Sequence, residues 1–185
     1  VQSALRRMCI ISSSMHKDAL TALKELNEEL AHEVIAMDDE VDRFSLYIIR
    51  QLKAAVDDEK IIKEIGLSTR RDCLGYRLIT KAVERTADHA VEISENVRML
   101  KNPPSREVFD HIESMSASSV SIFEETINVL FKRDFQLANE IIKKAKQVAA
   151  SKKELMKYAS KTNNVEDVSS LSLIIESITR AVEYA

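Results

Sequence analysis

The sequence predicts an all-α fold of two tandem three-helix bundles, and two observations carry that prediction. The first is composition: the 185 residues include only 2 glycines and 2 prolines, where average usage would give roughly 13 and 9. Because sheets need tight turns that depend on these residues, their scarcity favours long helices. The second is a weak internal repeat, in which the later half of the chain restates the pattern of the earlier half.

Six long helices follow from the apolar periodicity and from the breaks between periodic stretches. They are predicted at about residues 1–24, 28–57, 69–101, 105–132, 135–160 and 165–185. Asn27, Ser68 and Asp134 are the predicted N-caps of the second, third and fifth helices, because short polar side chains accept hydrogen bonds from the free amides of a first turn. The stretch EKIIKEIG adds a short helical piece that Gly66 closes.

The internal repeat sets the predicted domain organisation. Two pairs of segments match: LAHEVI at 30–35 with LANEII at 137–142, and RLITKAVERTADHA at 77–90 with LIIESITRAVEYA at 173–185. The strongest break, NPPS at 102–105, falls between the copies, and KTNN at 161–164 is a weaker one. Residues 1–102 and 103–185 are therefore predicted to form one three-helix repeat each, both too small to bury much surface alone.

Charge and cysteine usage exclude several classes of protein. The chain has 27 basic and 30 acidic residues, for a net charge of −3, which does not favour direct contact with nucleic acid. No apolar run approaches about 18 residues, so no segment is expected to insert into a membrane. Cys9 and Cys73 have no metal-binding or redox spacing, and we interpret them as reduced thiols of a cytoplasmic protein.

The stretch MDDEVD at 37–42 places two carboxylates one helical turn apart. Asp38 and Asp42 repel each other weakly even in water, and on a helical wheel both fall within the wide apolar arc of the second helix. A carboxylate on a packed face must be neutralised, paired or protonated. Three readings stay open: solvent reaches both acids at the margin of the core, a neighbouring basic residue pairs with them, or a multivalent cation binds.

A second carboxylate pair lies on the third long helix. In VERTADHA, Glu84 and Asp88 are again one turn apart, at the edge of an apolar arc, where solvation alone could account for them. If the two helices are antiparallel neighbours, the four acids could surround one volume. Such an oxygen-rich site would suit a divalent or trivalent cation such as Mg, Mn, Fe or Zn.

Other polar motifs give little support for catalysis. His89 adjoins Asp88 and could ligate a cation or orient a ligand, or it could simply face a polar border. Glu29 and His32 form one E-x-x-H tetrad, whereas a di-iron carboxylate enzyme needs two that face inward. The chain has no glycine-rich phosphate loop and no G-x-S-x-G serine. We therefore predict that it is not an enzyme, and a di-iron carboxylate enzyme is the alternative.

The motifs DDEVD and VERTADHAVEISE resemble those of the PhoU family of phosphate-uptake regulators, in which one helix carries D-x-x-[IV]-D and a later helix carries E-R-x-x-D-H-A. The stretch EIGLSTRRDCLGYRLI is similar to archaeal members, some of which are fusions with an AbrB-like DNA-binding domain. The resemblance implies a pair of three-helix bundles that hold iron, zinc or related metals at acidic pairs. It also implies a homodimer that acts through contacts with the cytoplasmic subunit of a phosphate ABC transporter or with a phosphate sensor.

The second copy departs from this pattern. Asp38, Asp42, Glu84 and Asp88 correspond to Ala145, Ala149, Thr179 and Glu183, so one acid in four remains. We therefore predict one or two metal ions in the first copy and none in the second, with Glu183 an ordinary surface residue. The alternative function is a metal-free dimerisation module of a DNA-binding regulator.

Overall fold

The computed structural model describes residues 1–132, 134–161 and 164–184, and over these ranges the chain is α-helical with no strand. The helices are α1 Gln2–Glu25, α2 Glu28–Asp57, α3 Glu59–Glu64, α4 Arg70–Val97, α5 Arg106–Lys132, α6 Phe135–Ala159 and α7 Val165–Tyr184. The predicted all-α fold is confirmed, with α3 as the expected short piece. Thr162 and Asn163 of the predicted KTNN break, and Ala185 at the end of the predicted second repeat, lie outside the described residues.

Two of the three predicted N-caps are confirmed. The Asn27 side chain accepts a hydrogen bond from the Leu30 amide at 3.0 Å, and Asp134 accepts bonds from the first turn of α6. The prediction for Ser68 is wrong. Thr69 caps α4 instead, because the side chain of Asp72 accepts from the Thr69 amide while Thr69 Oγ1 accepts from the Asp72 amide. This reciprocal pair is a capping box, which satisfies the amides of both Thr69 and Asp72.

Both ends of the short helix α3 are defined by particular backbone conformations. Asp58 caps its start, with the side chain accepting a hydrogen bond from the Lys60 amide at 2.8 Å. Gly66 follows its end with a φ of 79°, a left-handed conformation that glycine adopts without the steric penalty of a side chain. The connection from α2 to α4 is thus a compact turn, and it brings these two long helices side by side.

The long helices pack as two three-helix bundles. Helices α1, α2 and α4 form the first bundle, and α5, α6 and α7 form the second, while α4 also packs on α7 and α1 on α5. One apolar core runs through both bundles. Its fully buried members include Leu5, Met8, Met15, Leu23, Ile48, Ile93, Ile112, Leu171, Ile174, Ile175 and Ile178. At about 1.5–3 kcal/mol for each large buried side chain, this shared core is the main stabilising term. The boundary predicted at residue 102 stays a prediction.

A buried aspartate ties the link between the bundles to the start of α7. Asp167 is 1% exposed, and its carboxylate accepts hydrogen bonds from the Lys101 amide at 2.9 Å and from Asn102 Nδ2 at 3.1 Å. The hydrogen bond from the Lys101 amide is the main cause that lowers the pKa of Asp167. Because the link follows α4 directly, this contact fixes the course of the chain from the first bundle into the second.

Candidate carboxylate site

The four predicted site residues lie on two adjacent helices. Asp38 and Asp42 are on α2, Glu84 and Asp88 are on α4, and the two helices pack against each other. Ser45 Oγ donates a hydrogen bond to Glu84 Oε2 at 3.3 Å, which fixes the register of α2 against α4. Asp42 and Asp38 lie within about two helical turns of Ser45 on α2, and Asp88 lies about one turn from Glu84 on α4. Both acidic pairs therefore occupy the same stretch of the helix pair.

Asp38 is the most perturbed of the four. Its Oδ1 atom is buried and has no hydrogen-bond partner among the described residues. Burial, followed by the negative charges of Asp42, Asp88 and Glu84, raises the pKa of Asp38 from an ordinary 3.8 to about 6. Desolvation and like charge both disfavour its ionised form, so this carboxylate destabilises the fold at neutral pH unless a cation approaches it.

Asp88 and Glu84 differ in how far their charge is compensated. Burial raises the pKa of Asp88, the positive charge of Lys81 opposes this, and the charges of Glu84 and Asp42 add to it. Glu84 Oε1 lies 2.8 Å from Lys81 Nζ in an ion pair one turn along α4. Asp42 is exposed to solvent. Glu84 is therefore compensated by a lysine of its own helix, a contact that the sequence did not predict.

The present side-chain positions do not form a complete metal site. Across the part of the chain that the structure describes, no three His, Cys, Asp or Glu side chains converge closely enough to hold a cation. The chemistry of the donors nevertheless fits a hard cation, because carboxylate oxygens are its preferred ligands and Asp38 Oδ1 has no hydrogen-bond partner in the described part of the chain. Glu84 is instead held by Lys81 and by Ser45.

The histidines near these acids have other partners. His89 Nδ1 donates a hydrogen bond to Glu92 Oε2 at 2.8 Å, and its ring stacks on Tyr184 at a centroid distance of 5.6 Å. Glu92 Oε2 also accepts from Ser177 Oγ on α7. His89 therefore links the first bundle to the second. His32 is exposed to solvent on α2, on the polar side of the helix as expected.

Sequence reasoning missed one residue beneath the site. His16 is 2% exposed, and its Nε2–H donates to the Thr86 carbonyl oxygen at 2.7 Å. Burial lowers the pKa of His16 to about 4, so the ring is neutral at pH 7. The position of His16 among the apolar residues of α1 indicates that it is buried. Periodicity alone does not identify the Thr86 carbonyl as its hydrogen-bond partner.

The second bundle has an apolar cavity where the first has acids. Ala145, Ala149 and Glu183 line a cavity of about 360 Å³ together with Ile141 and Val182. The Glu183 carboxylate lies 2.7 Å from Arg180 Nη1. Three of the four positions that correspond to the acids thus occupy one place in the second bundle, as the repeat predicts. The expectation that this copy binds no metal stays a prediction.

Fold and site together define a helical double-bundle protein whose first bundle carries clustered carboxylates. Residues 5–97, about half of the chain, match the family model of the PhoU domain, and the chain belongs to the PhoU family. This match covers most of α1 and all of α2, α3 and α4, including all four acids. The resemblance seen in the two motifs is therefore confirmed.

Individual relatives agree with this assignment. The chain is 22% identical over 144 residues to a phosphate-specific transport system accessory protein PhoU homolog of Clostridium acetobutylicum, covering 78% of this chain and 64% of that protein. It is 27% identical over 126 residues to a protein of the same description from Aquifex aeolicus, covering 68% and 55% respectively. The chain thus spans less than two thirds of the length of these relatives.

The fold has close counterparts among solved structures. The phosphate transport system regulatory protein PhoU from Streptococcus pneumoniae superposes with a TM-score of 0.84 at 18% identity, over 98% of this chain and 86% of that one. This likeness supports the double bundle as a fold. Within the described ranges, no helix is long and apolar enough to cross a membrane.

Proposed function

We propose that this chain is a regulatory module of a phosphate transport system that acts by binding other proteins. Its membership of the PhoU family supports the proposal, as do the names of its relatives, which are accessory proteins of phosphate-specific transport. These names describe accessory rather than catalytic proteins. The proposed partner is the cytoplasmic subunit of a phosphate transporter or a phosphate sensor, with a second copy of this chain as a further partner.

We further propose that Asp38, Asp42, Glu84 and Asp88 hold a divalent or trivalent cation between α2 and α4. The single observation that carries this is the buried Asp38 Oδ1, which has no hydrogen-bond partner among the described residues and is close enough to the other three acids for their charges to raise its pKa. A bound cation would supply the positive charge that these oxygens lack. The metal could be Fe, Zn, Mn or Mg, since carboxylates accept all four.

In this proposal the residues of the chain have distinct roles. Asp38 is the buried anchor, Asp42 reaches the cation from the solvent side, and Glu84 and Asp88 bind from α4. Because Lys81 is paired with Glu84, a cation must displace this lysine before Glu84 can bind it. Because the acids come from two helices, occupancy would fix the crossing of α2 and α4 and thereby the surface that the first bundle offers to a partner.

Metal analysis tests the cation site. Protein purified without chelators is measured by mass spectrometry for bound metals, beside a variant with Asp38→Asn and Asp42→Asn. A matched control carries Glu29→Gln and Glu33→Gln, which remove the same charge from exposed positions of the same helix. We expect metal in the wild type and control and none in the site variant. Full metal content in the site variant would disprove the assignment.

A binding assay tests the regulatory role separately. The chain is immobilised, and capture of the purified cytoplasmic subunit of the phosphate transporter from the same genome is measured with and without chelator. Specific capture would support a transporter-associated role, and its loss on chelation would connect that role to the carboxylate site. If neither the subunit nor the sensor binds under any condition, the proposed function is wrong even where metal is present.

A further inference from the structure

Helix α6 presents a long basic face to solvent. It packs against α5 and α7, and only Ile141, Leu155 and Ala159 of its residues are buried. Residues that share its outward arc, about 100° wide at helical spacing, are all exposed: Phe135, Asn139, Ile142, Lys143, Lys146, Ala150, Lys153, Lys157 and, just beyond the helix end, Lys161. We call this set the lysine face. It contains five cations, and the exposed Glu154 at its edge lines the same surface cavity as Lys153, Lys157 and Lys161.

The charges of the lysine face are not neutralised within the described part of the chain. Other lysines of α6 are paired, since Lys144 Nζ lies 2.8 Å from a carboxylate oxygen of Glu125 and Lys152 bridges to Glu176. In contrast, none of Lys143, Lys146, Lys153 and Lys157 has a carboxylate of a described residue within ion-pair distance. The lysine face is therefore available to an external anion.

The distribution of charge would orient the whole molecule. Six lysines and two glutamates give α6 a net charge of +4. Because the chain as a whole carries −3, the remaining residues carry −7. An extended negative surface would attract α6 and repel the rest of the chain, so the molecule would approach with this helix foremost.

Two large apolar side chains lie at one end of the same face. Phe135 is 81% exposed and Ile142 is 50% exposed. At an anionic bilayer surface, exposed apolar side chains that enter the headgroup region add to the electrostatic attraction of neighbouring lysines. Lysine also suits such a surface, because its charge is compact and its stem flexible, whereas arginine favours the fixed geometry of paired carboxylates.

We propose that the lysine face of α6 binds the anionic surface of a lipid bilayer, with Phe135 and Ile142 in the headgroup layer. This contact is peripheral and independent of the carboxylate site. It goes beyond the proposed function, since it places the chain at a membrane surface without requiring any protein partner.

Vesicle sedimentation tests the proposal with the whole chain. Vesicles of phosphatidylcholine mixed with phosphatidylglycerol are compared with vesicles of phosphatidylcholine alone. We expect binding to the mixed vesicles only, weakened by salt because exposed charges are screened. A variant with Lys146→Gln, Lys153→Gln and Lys157→Gln should bind at least about tenfold more weakly, since each lysine contributes near an anionic leaflet. Phe135→Ser should lower the binding that persists at high salt.

A matched control decides whether vesicle binding depends on the lysine face or only on the total charge of the chain. Lys53→Gln, Lys60→Gln and Lys63→Gln remove the same charge from three exposed lysines of the first half, and this variant should bind like the wild type. Equal loss in both variants, or equal binding to both kinds of vesicle, would overturn the proposal. If the wild type ignores vesicles while the α6 variant loses capture of the transporter subunit, the lysine face contacts protein, and only the lipid proposal fails.

Discussion

His16 on α1 donates a hydrogen bond from Nε2 to the carbonyl oxygen of Thr86 on α4, at 2.7 Å. Thr86 lies between Glu84 and Asp88, so this buried contact ties α1 to the helical turn that carries two of the four acids. The imidazole must stay neutral there, because burial lowers its pKa from an ordinary 6.5 to about 4. Protonation of His16 in acid is therefore expected to weaken this contact between α1 and the turn of α4 that carries Glu84 and Asp88.

We predict that acid destabilises the protein through His16. Between pH 6.5 and about 4 the unfolded chain binds a proton at this residue that the folded chain excludes, so stability falls as the pH is lowered. The loss is about 3 kcal/mol if the whole shift is expressed. Urea unfolding at several pH values measures it, and His16→Gln should remove this contribution and leave the opposite slope expected from Asp38. An unchanged slope in that variant would contradict the account.

We predict that Asp38→Asn stabilises the metal-free protein. Because the folded pKa of Asp38 is raised to about 6, its ionised form opposes folding, and stability is lost as the pH rises from 3.8 to 6. With the partial exposure of the site taken into account, a gain of about 1–2 kcal/mol is expected at pH 7 in chelator. Asp39→Asn, at an exposed neighbour, is the control and should change little. A destabilised Asp38→Asn variant would show that the carboxylate is well solvated or paired.

The start of α4 depends on Thr69. Thr69→Ala removes the capping box with Asp72, and we expect a loss of about 0.5–2 kcal/mol in the free energy of unfolding. Ser68→Ala should leave it within about 0.5 kcal/mol, since its side chain does not cap the helix. Thermal unfolding of the two variants compares them directly. The reverse order of effects would reinstate Ser68 as the cap.

We predict that Asp167, near the start of α7, contributes to the free energy of unfolding by holding the link between the two bundles. Asp167→Ala removes the acceptor of the Lys101 amide and Asn102 Nδ2, and hydrogen bonds of this kind contribute about 0.5–1.5 kcal/mol each. Because hydrogen bonds lower the pKa of Asp167, its contribution is present at neutral pH and lost in strong acid. Glu166→Gln, at an exposed partner of Lys101, is the control for local charge. If urea unfolding gives the two variants the same stability, contacts other than those of Asp167 hold the link between the bundles.

The sequence predicted the elements whose signals are local. Asn27 and Asp134 were identifiable as caps because each is the single short polar residue before a periodic run. At the start of α4, Ser68 and Thr69 are equally suitable by type, and the choice rests on the reciprocal bond with Asp72, which periodicity does not reveal.

The candidate site was predictable to a similar degree. Helical spacing identifies Asp38, Asp42, Glu84 and Asp88, and the structure packs α2 against α4, which their meeting requires. Two contacts could not be foreseen from spacing alone. The ion pair of Lys81 with Glu84 depends on the side-chain conformation within one helix, and the partner of His16 depends on how α1 packs against α4.

The most direct test of the cation site is anomalous diffraction from crystals of the protein grown with Mn²⁺. We predict a peak between α2 and α4, within about 2.0–2.6 Å of a carboxylate oxygen of Asp38 and of at least one acid on α4. Glu84 should then have left Lys81. Crystals that contain Mn²⁺ but show no peak at Asp38, with Glu84 still paired to Lys81, would contradict the central claim.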